Sequence, residues 1–386
     1  MAFTGKATYS AGATLPEIAE DVSDLVSVVS PYETPLLDLL GDASREARST
    51  IHEWLEDELM PNHDAIADAA IADPGNATTF HVAHVDRFRP GDQIRLVAAG
   101  AEMMLVTSIS SGTGQITVIR GHGGTTKASL VDAMALIIIG NAAMEGDSAD
   151  SARFTARGRR QNYTQIFSAT VEVSGSELAV RQLGVADEVA YQKQQRLREL
   201  LRDLENTVIN GRAPATNPQG GVTGRRTMSG VLAMLGTNRF SPGINGMPTE
   251  FTLTEAHLNT ALRNIWENSA SRIDTILVGA TQKRLINGFI GANRHFGPAD
   301  QTFRDLVSLY ESDFGLCRIV LSRYVPTDAV VLLDSTRIDV IPLAGRSFQY
   351  RPLAAVGDRE TGQLIGEYTL ELRNENAHGV IRGLTV

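Results

Sequence analysis

Histidines, carboxylates and a lone cysteine are the residues of this chain whose types could do chemistry, and their spacing argues against most of it. HisGluTrpLeuGlu, His52 to Glu56, begins like the HisGluXaaXaaHis motif that presents two imidazoles to zinc from one helix face, but Glu56 stands where the second histidine should be. What remains is a strand with an acidic tip: Glu53, Glu56, Asp57 and Glu58. His81 and His84 are neighbours in sequence, yet three positions along a strand turn their rings to opposite faces. GlyThrGly at 112–114 and GlyHisGlyGly at 121–124 lack the lysine and following helix of a phosphate loop and the third glycine of a dinucleotide fingerprint, so they read as hairpin turns. Cys317, in the apolar run CysArgIleValLeu, has no partner for an internal disulfide and reads as a buried, inert thiol. Hydrolase elbows, kinase loops and paired-carboxylate metal motifs are missing. No catalytic residue, cofactor or metal is assigned, and an enzyme with a site gathered from distant positions stands third among the readings.

Composition narrows the class. A chain of 386 residues, 42% hydrophobic and 21% charged, can bury a substantial core and divide into two or three domains. Its formal charge of -10 argues against tight, sequence-independent nucleic-acid binding, which requires a local excess of Lys and Arg. The strongest apolar run, Met134 to Ile139, is far short of the ~20 residues of a membrane span, and the first residues hold no signal core. A soluble chain made in the cytosol is expected. Lysine occurs only at Lys6, Lys127, Lys193 and Lys283; arginine-rich interfaces and GC-rich coding explain this equally well.

Periodicity and punctuation then give the elements that must position these side chains. Ala186 to Asn210 reads as one helix roughly 36 Å long. Val189, Leu197, Leu201, Leu204 and Val208 fall near one face, and Arg196, Glu199, Arg202 and Glu205 alternate in sign on another. Asp187 and Glu188 suit its positive end, and Gly211 with Pro214 stops it. Residues 1–29 are too poor in large apolar side chains for a core of their own and read as an extended arm. Thr34 as N-cap, Pro35 and Gly41 frame a two-turn helix. From Thr78 to Ala142, short strand-like runs separated by Gly-rich turns suggest a small β-barrel or sandwich. Arg153, Arg157, Arg159 and Arg160 follow, and then Tyr163 to Val173 alternates as a long strand. An acidic strand before the module and a basic one after it suggest two legs of one extended hairpin. Further on, Thr252 and Glu255 predict a capping box for a helix ending near Asn268, followed by a buried strand and a helix over Thr281 to Ile290, hence a second α/β domain. Gly291 to Asp300 reads as an exposed loop. The chain from Leu306 onward is mostly strands, expected to return beneath the long helix.

The order of parts and four local stretches carry a resemblance. SerProTyrGluThrProLeuLeuAspLeuLeuGly (30–41), IleHisGluTrp with AspGluLeu (51–59), ValGluValSerGly (171–175) and GlyGluTyrThrLeuGluLeuArgAsnGluAsnAlaHisGly (366–379) resemble the major capsid proteins of tailed bacteriophages, of the Hong Kong 97 type, in a branch with an inserted β domain. The resemblance implies an α+β fold with an arm and short helix at 1–45, an extended loop at 46–77 and 143–175, and an inserted β domain at 78–142. It implies a peripheral domain at 176–222 and 313–386 around a spine helix at 186–210, and an axial domain at 223–312. It also implies a structural protein and not an enzyme, self-assembling into pentamers and hexamers of an icosahedral shell that encloses double-stranded DNA. Such a protein resides in the virion and assembles in the host cytoplasm. Its implied partners are other copies of itself, a portal, a separate scaffolding protein and a decoration or minor capsid protein, with no membrane.

Under this resemblance Glu53, Glu56, Asp57 and Glu58 meet Arg153, Arg157, Arg159 or Arg160, within one loop or between subunits, or else both runs are solvated faces. Arg196, Glu199, Arg202 and Glu205 become candidates for contacts between subunits. The legs Glu46 to Met60 and Ser151 to Val173 contain no lysine, which predicts a shell without covalent cross-links. Few residues precede the arm, so scaffolding is expected from a separate protein. The competing class is a β-rich surface or carbohydrate-binding protein. Against it stand the missing signal peptide and disulfides, and a module whose only stacking aromatics are Phe80 and Phe88.

Overall fold

The computed structural model describes residues 34–97, 101–146, 155, 157–179, 187–269, 271–293, 309–354 and 357–385. The expected arm, Arg153 and most of the expected loop at 291–300 lie outside them. The chain divides into two compact units, one formed by the chain up to Glu56 and from Arg159 onward, the other by Asp57–Gly158.

The first unit opens with α1 (Pro35–Leu40), whose Leu36 is fully buried. Thr34 does not cap it as expected: its hydroxyl donates to Asp38 Oδ1 instead (3.3 Å). The free N–H groups of Leu36 and Leu37 donate to the carboxylate of Glu205, at 3.0 and 2.9 Å. A residue 169 positions away thus does the work of an N-cap. β1 (Ile51–Glu56) follows.

The second unit is a small antiparallel barrel of β2 (His63–Ala65), β3 (Thr79–His81), β4 (Asp92–Leu96), β5 (Met103–Ser110), β6 (Gln115–Ile119) and β7 (Ala135–Asn141). The strands run in the order β2-β7-β4-β5-β6-β3, and a bridge between Ile66 and Val82 joins the outer two. Alternation along β4 to β6 sends Ile94, Leu96, Met104, Val106, Ile116 and Val118 inward around Phe80, all at or below 2% exposure. This unit is wider than the expected 78–142, because β2, which closes the ring, comes from upstream. Two histidine–carboxylate clasps flank the closing bridge: His81 Nδ1 lies 3.1 Å from Asp68 Oδ2 and His84 Nδ1 lies 2.9 Å from Asp64 Oδ1. The two histidines have separate carboxylate partners and form no shared ligand pair.

Beneath the β5–β6 side lies a buried ion pair. Arg120 donates to both oxygens of Glu102 at 2.7 Å each, and Glu102 also accepts from the backbone of Gly121 (2.9 Å) and Ala128 (2.8 Å). Desolvation alone would push the Glu102 carboxyl up, but Arg120 and those N–H donors hold it below its ordinary value.

The first unit resumes with β8 (Gly158–Tyr163), paired with β1 in a two-stranded ribbon, then β9 (Gln165–Ser174), the short α2 (Gly175–Ala179) and the long α3 (Glu188–Asn210). Asp187 caps α3, its Oδ1 accepting from Ala190 N at 3.0 Å. Leu200, Leu204, Val208 and Ile209 face the core, a wider stripe than the sequence suggests. A Cβ at Gly211 would strike the carbonyl oxygens of Thr207 and Met228, so glycine ends α3 by letting the returning chain approach.

There follow α4 (Val231–Met234), β10 (Arg239–Phe240), α5 (Glu255–Asn268), β11 (Thr275–Val278), α6 (Ala280–Asn293), β12 (Leu309–Ser312), β13 (Gly315–Leu321), β14 (Ala329–Leu333), β15 (Ile338–Pro342), β16 (Gln349–Pro352), β17 (Arg359–Leu372) and β18 (Gly379–Arg382). The cap of α5 is Thr254, which accepts from His257 N, and not the expected Thr252.

Six strands, in the order β10-β18-β14-β11-β13-β12, form a central sheet. One face, with Leu277, Val320, Val331 and Val380, joins the core of α3; the other, with Ile276, Ile319, Val330 and Ile381, packs with Leu258, Leu262 and Ile265 of α5. Burial on both faces explains why β14 reads AlaValValLeuLeu without alternation. The expected split into separate peripheral (313–386) and axial (223–312) domains therefore differs from what is found, since strands of both ranges share this sheet.

A second sheet is built on β17, which pairs with β15, β16 and β9. In β17, Gly366 lies under the ring of Phe348, 2.5 Å from where a Cβ would stand. Gly366→Ala is expected to cost about 1–3 kcal/mol by overpacking. Chemical denaturation beside the control Gly112→Ala, whose Cβ would meet nothing within 4 Å, checks it.

Candidate assembly surfaces

Alternation along β1 puts His52, Trp54 and Glu56 on one face and Glu53 and Leu55 on the other. Arg159 Nη2 lies 2.5 Å from Glu53 Oε2 on one face of the ribbon, and Arg160 Nε lies 3.3 Å from Glu56 Oε2 on the other. The acidic and basic legs thus meet within one chain. Glu56 does more than pair: it accepts from Trp54 Nε1 (2.8 Å) and from the backbone of Asn374 (2.7 Å), fastening the ribbon to the turn after β17. Asp57 accepts from Thr155 Oγ1 (3.3 Å) and from Glu58 N (3.0 Å), while Arg157 is exposed. The side chains of Arg159 and Arg160 are 69% and 61% exposed, so these pairs are worth little to the subunit itself. Arg159→Ala is expected to change the unfolding free energy by less than about 1 kcal/mol. Urea titration of the subunit checks it, and a larger loss would show the pair to be structural.

The ribbon is rooted in a polar seam that sequence reasoning missed. Glu367, Thr369 and Glu371 share one face of β17 and are all buried. Glu371 accepts from His52 Nε2 (2.6 Å) and Arg45 Nη2 (3.0 Å), whereas Glu367 binds Thr164 Oγ1 (2.6 Å), Arg226 Nη2 (2.5 Å) and Arg346 Nε (2.8 Å). Thr369 donates to Tyr163 O (3.1 Å), and Asn162 of β8 donates to Leu370 O (2.8 Å) and Ser229 O (2.9 Å). Burial would raise the Glu371 carboxyl, but His52 and Arg45 hold it below its ordinary value. The period-two spacing of Glu367 and Glu371 in an otherwise buried strand was the available signal. His52, the leftover of the broken zinc motif, serves as a carboxylate partner.

On α3, Arg196 pairs with Glu199 (2.6 Å) and Arg202 approaches Asp203 (3.5 Å), all four at least 38% exposed. Glu205 departs from the expected surface row. It is fully buried, and its carboxylate is consumed by α1. A surface contact between subunits through Glu205 is corrected accordingly, because a side chain with no exposed area cannot reach a neighbour. Among the described residues no cluster of three or more His, Cys, Asp or Glu could hold a metal ion, and no helix is long and apolar enough to cross a membrane.

What the molecule offers is a charged ribbon, a rigid root and a mixed-charge helix. Residues 3–385 match the model of the SU10 major capsid protein family. The chain belongs to that family. It is 23% identical over 300 residues to the major capsid protein of Escherichia phage Phieco32, a match covering 65% of this chain and 83% of the relative. Its fold is like that of the capsid of a native GTA particle (TM-score 0.52, 10% identity, 99% of this chain and 100% of that one). A capsid chain of cyanophage A-1(L) is similar over 96% of this chain and 98% of that one, with TM-score 0.49 and 15% identity. As a major capsid protein the chain is a structural component of the virion, with the tailed-phage capsid fold, and it is not an enzyme.

Proposed function

We propose that this major capsid protein assembles into pentamers and hexamers of an icosahedral shell around packaged double-stranded DNA, held without covalent cross-links. The family match along 3–385 carries the reading. Contacts around five-fold and six-fold centres are heterologous and must close, which favours a rigid subunit with reaching elements. The β1–β8 ribbon locked by Glu56, Glu367 and Glu371 suits an extended loop, and α3 suits a spine. The 57–158 barrel is the inserted domain in this reading, and α5, β11 and α6 belong to the axial region. The charged residues Glu53, Glu56, Asp57, Glu58, Arg157, Arg159, Arg160, Arg196, Glu199 and Arg202, and Arg153 outside the described residues, are candidates for contacts between subunits.

A formal charge of -10 suits a wall that encloses DNA without gripping it. The lysine-free legs, 46–60 and 151–173, support a non-covalent shell. Assembly takes place in the host cytoplasm with a portal, a separate scaffolding protein and a decoration or minor capsid protein as partners. Negative-stain microscopy of the purified protein is expected to show rings or closed shells that dissolve to a single monomer band in boiling detergent. A persistent monomer would defeat the assembly reading, and a ladder of multimers would defeat the non-covalent one.

A further inference from the structure

A groove of about 640 Å³ opens between α1, α3 and the β15–β17 sheet. Leu37, Leu201, Val340 and Tyr368 form its floor, and Asp38 and Asp42 stand exposed on its rim. No Lys, Arg or His is among its lining residues. An occupant must therefore bring an apolar tip and positive charge. Residues 1–33, which precede the lining residue Thr34 in sequence, carry Glu17, Glu20, Asp21, Asp24 and Glu33 against Lys6 alone, so their charge has the wrong sign.

The complementary surface lies elsewhere on the same unit. From Asn206 to Thr249 the chain contains no acid and four arginines, at 212, 225, 226 and 239. Within this stretch 217–224 folds into a tight turn: Gly220 N donates to Asn217 O (2.9 Å) and Gly221 N to Gly224 O (3.0 Å), with Asn217 and Gly220 at φ of 50° and 76°. Arg226 anchors the base of the turn on Thr164 O and Glu367. Val222 at the tip is 106% exposed, above every other exposed large apolar residue described, and Arg225 beside it is exposed. A solvent-facing valine on a pre-shaped, basic turn is a knob without a hole among the described residues.

We propose that the 217–225 turn of one copy seats in the acid-rimmed groove of a second copy, Val222 on the leucine floor and Arg225 against Asp38 and Asp42. The inference rests on the reading that copies of this chain assemble with one another. Particle yield by sedimentation and negative stain is compared for the wild-type chain, Asp38→Arg/Asp42→Arg, Arg225→Asp and the combination, with circular dichroism to establish folding. Each reversal is expected to lower particle yield by about tenfold or more, since like charges face each other across the contact. The combination should recover most of it.

A second measurement does not depend on charge: Val222→Cys with Ala43→Cys should give covalent dimers and higher species in oxidised particles, and neither single variant should. Unchanged yields in folded single reversals, or no recovery in the combination, overturn the proposal. A rise in yield on reversing the aspartates would assign the groove to the acidic 1–33 segment and also overturn it. Absence of particles from the wild-type chain would instead bring down the assembly reading, and this inference with it.

Discussion

Glu102→Ala is expected to destabilise the 57–158 barrel by about 3–5 kcal/mol, the range for breaking a buried pair from one side. Arg120 and Glu102 side chains are 1% and 0% exposed. Removing the carboxylate leaves the guanidinium without its counter-charge, and orphans the N–H groups of Gly121 and Ala128 as well. Arg120 would keep only carbonyl acceptors, Ala77 O and Ala128 O. The double change Glu102→Leu with Arg120→Met should cost distinctly less, because no charge is then left in the core. Hydrogen exchange of the amides in β5 and β6 reads the effect locally, independent of the first unit. The sign with pH follows from the depressed carboxyl: its contribution is present above the unfolded value of 4.5 and is lost as pH falls through the folded value. A Glu102→Ala barrel with undiminished protection would show that the pair contributes specificity and not stability.

How much of this was legible in the sequence depends on whether the signal was local. The α3 helix and the turn-punctuated strands of the barrel rest on contacts within a few residues, and periodicity finds them. β2 escaped because three residues, HisAspAla, carry no alternation, and β16 because Gln349–Pro352 holds a charge and a proline. The shared central sheet was invisible for a different reason: β11 and β14 are buried on both faces, so nothing in them says which helix they meet. The candidate contacts divide in the same way. Oppositely charged legs were readable as runs, and Glu53–Arg159 and Glu56–Arg160 do lie together. Glu205 looked like one more member of an alternating surface row, because α1, the element that buries it, is 169 positions away. The buried carboxylates Glu367 and Glu371 likewise acquire partners only from chain far removed in sequence.

Glu205→Gln is expected to stabilise the subunit at pH 8, by up to roughly 3 kcal/mol, and at pH 5 by less than about 1 kcal/mol. Burial pushes the Glu205 carboxyl up from 4.5 to about 7, against the pull of the Leu37 and Leu36 N–H groups and with some help from Asp38. A raised folded value means that its contribution is fully present below 4.5 and is lost as pH rises through about 7. Each pH unit in that interval is worth about 1.4 kcal/mol. Glutamine copies the protonated carboxyl and cannot ionise, so it removes the loss. His378 runs the opposite way. It is fully buried, its Nδ1 accepts from Asp334 N (3.2 Å), and desolvation lowers it from 6.5 to about 4, Asp334 opposing. Its contribution is present above 6.5 and is lost as pH falls through about 4. Between about pH 4.5 and 6.5 the two slopes cancel, so the wild-type chain should show little pH dependence from either group. Each variant should expose the other: stability rising with pH in Glu205→Gln, and falling with pH in His378→Asn, whose amide oxygen can take the place of Nδ1. Urea titrations from pH 5 to 8 test both slopes. Parallel curves for the wild type and Glu205→Gln would mean that the α1 N–H groups hold Glu205 ionised throughout, defeating the assignment.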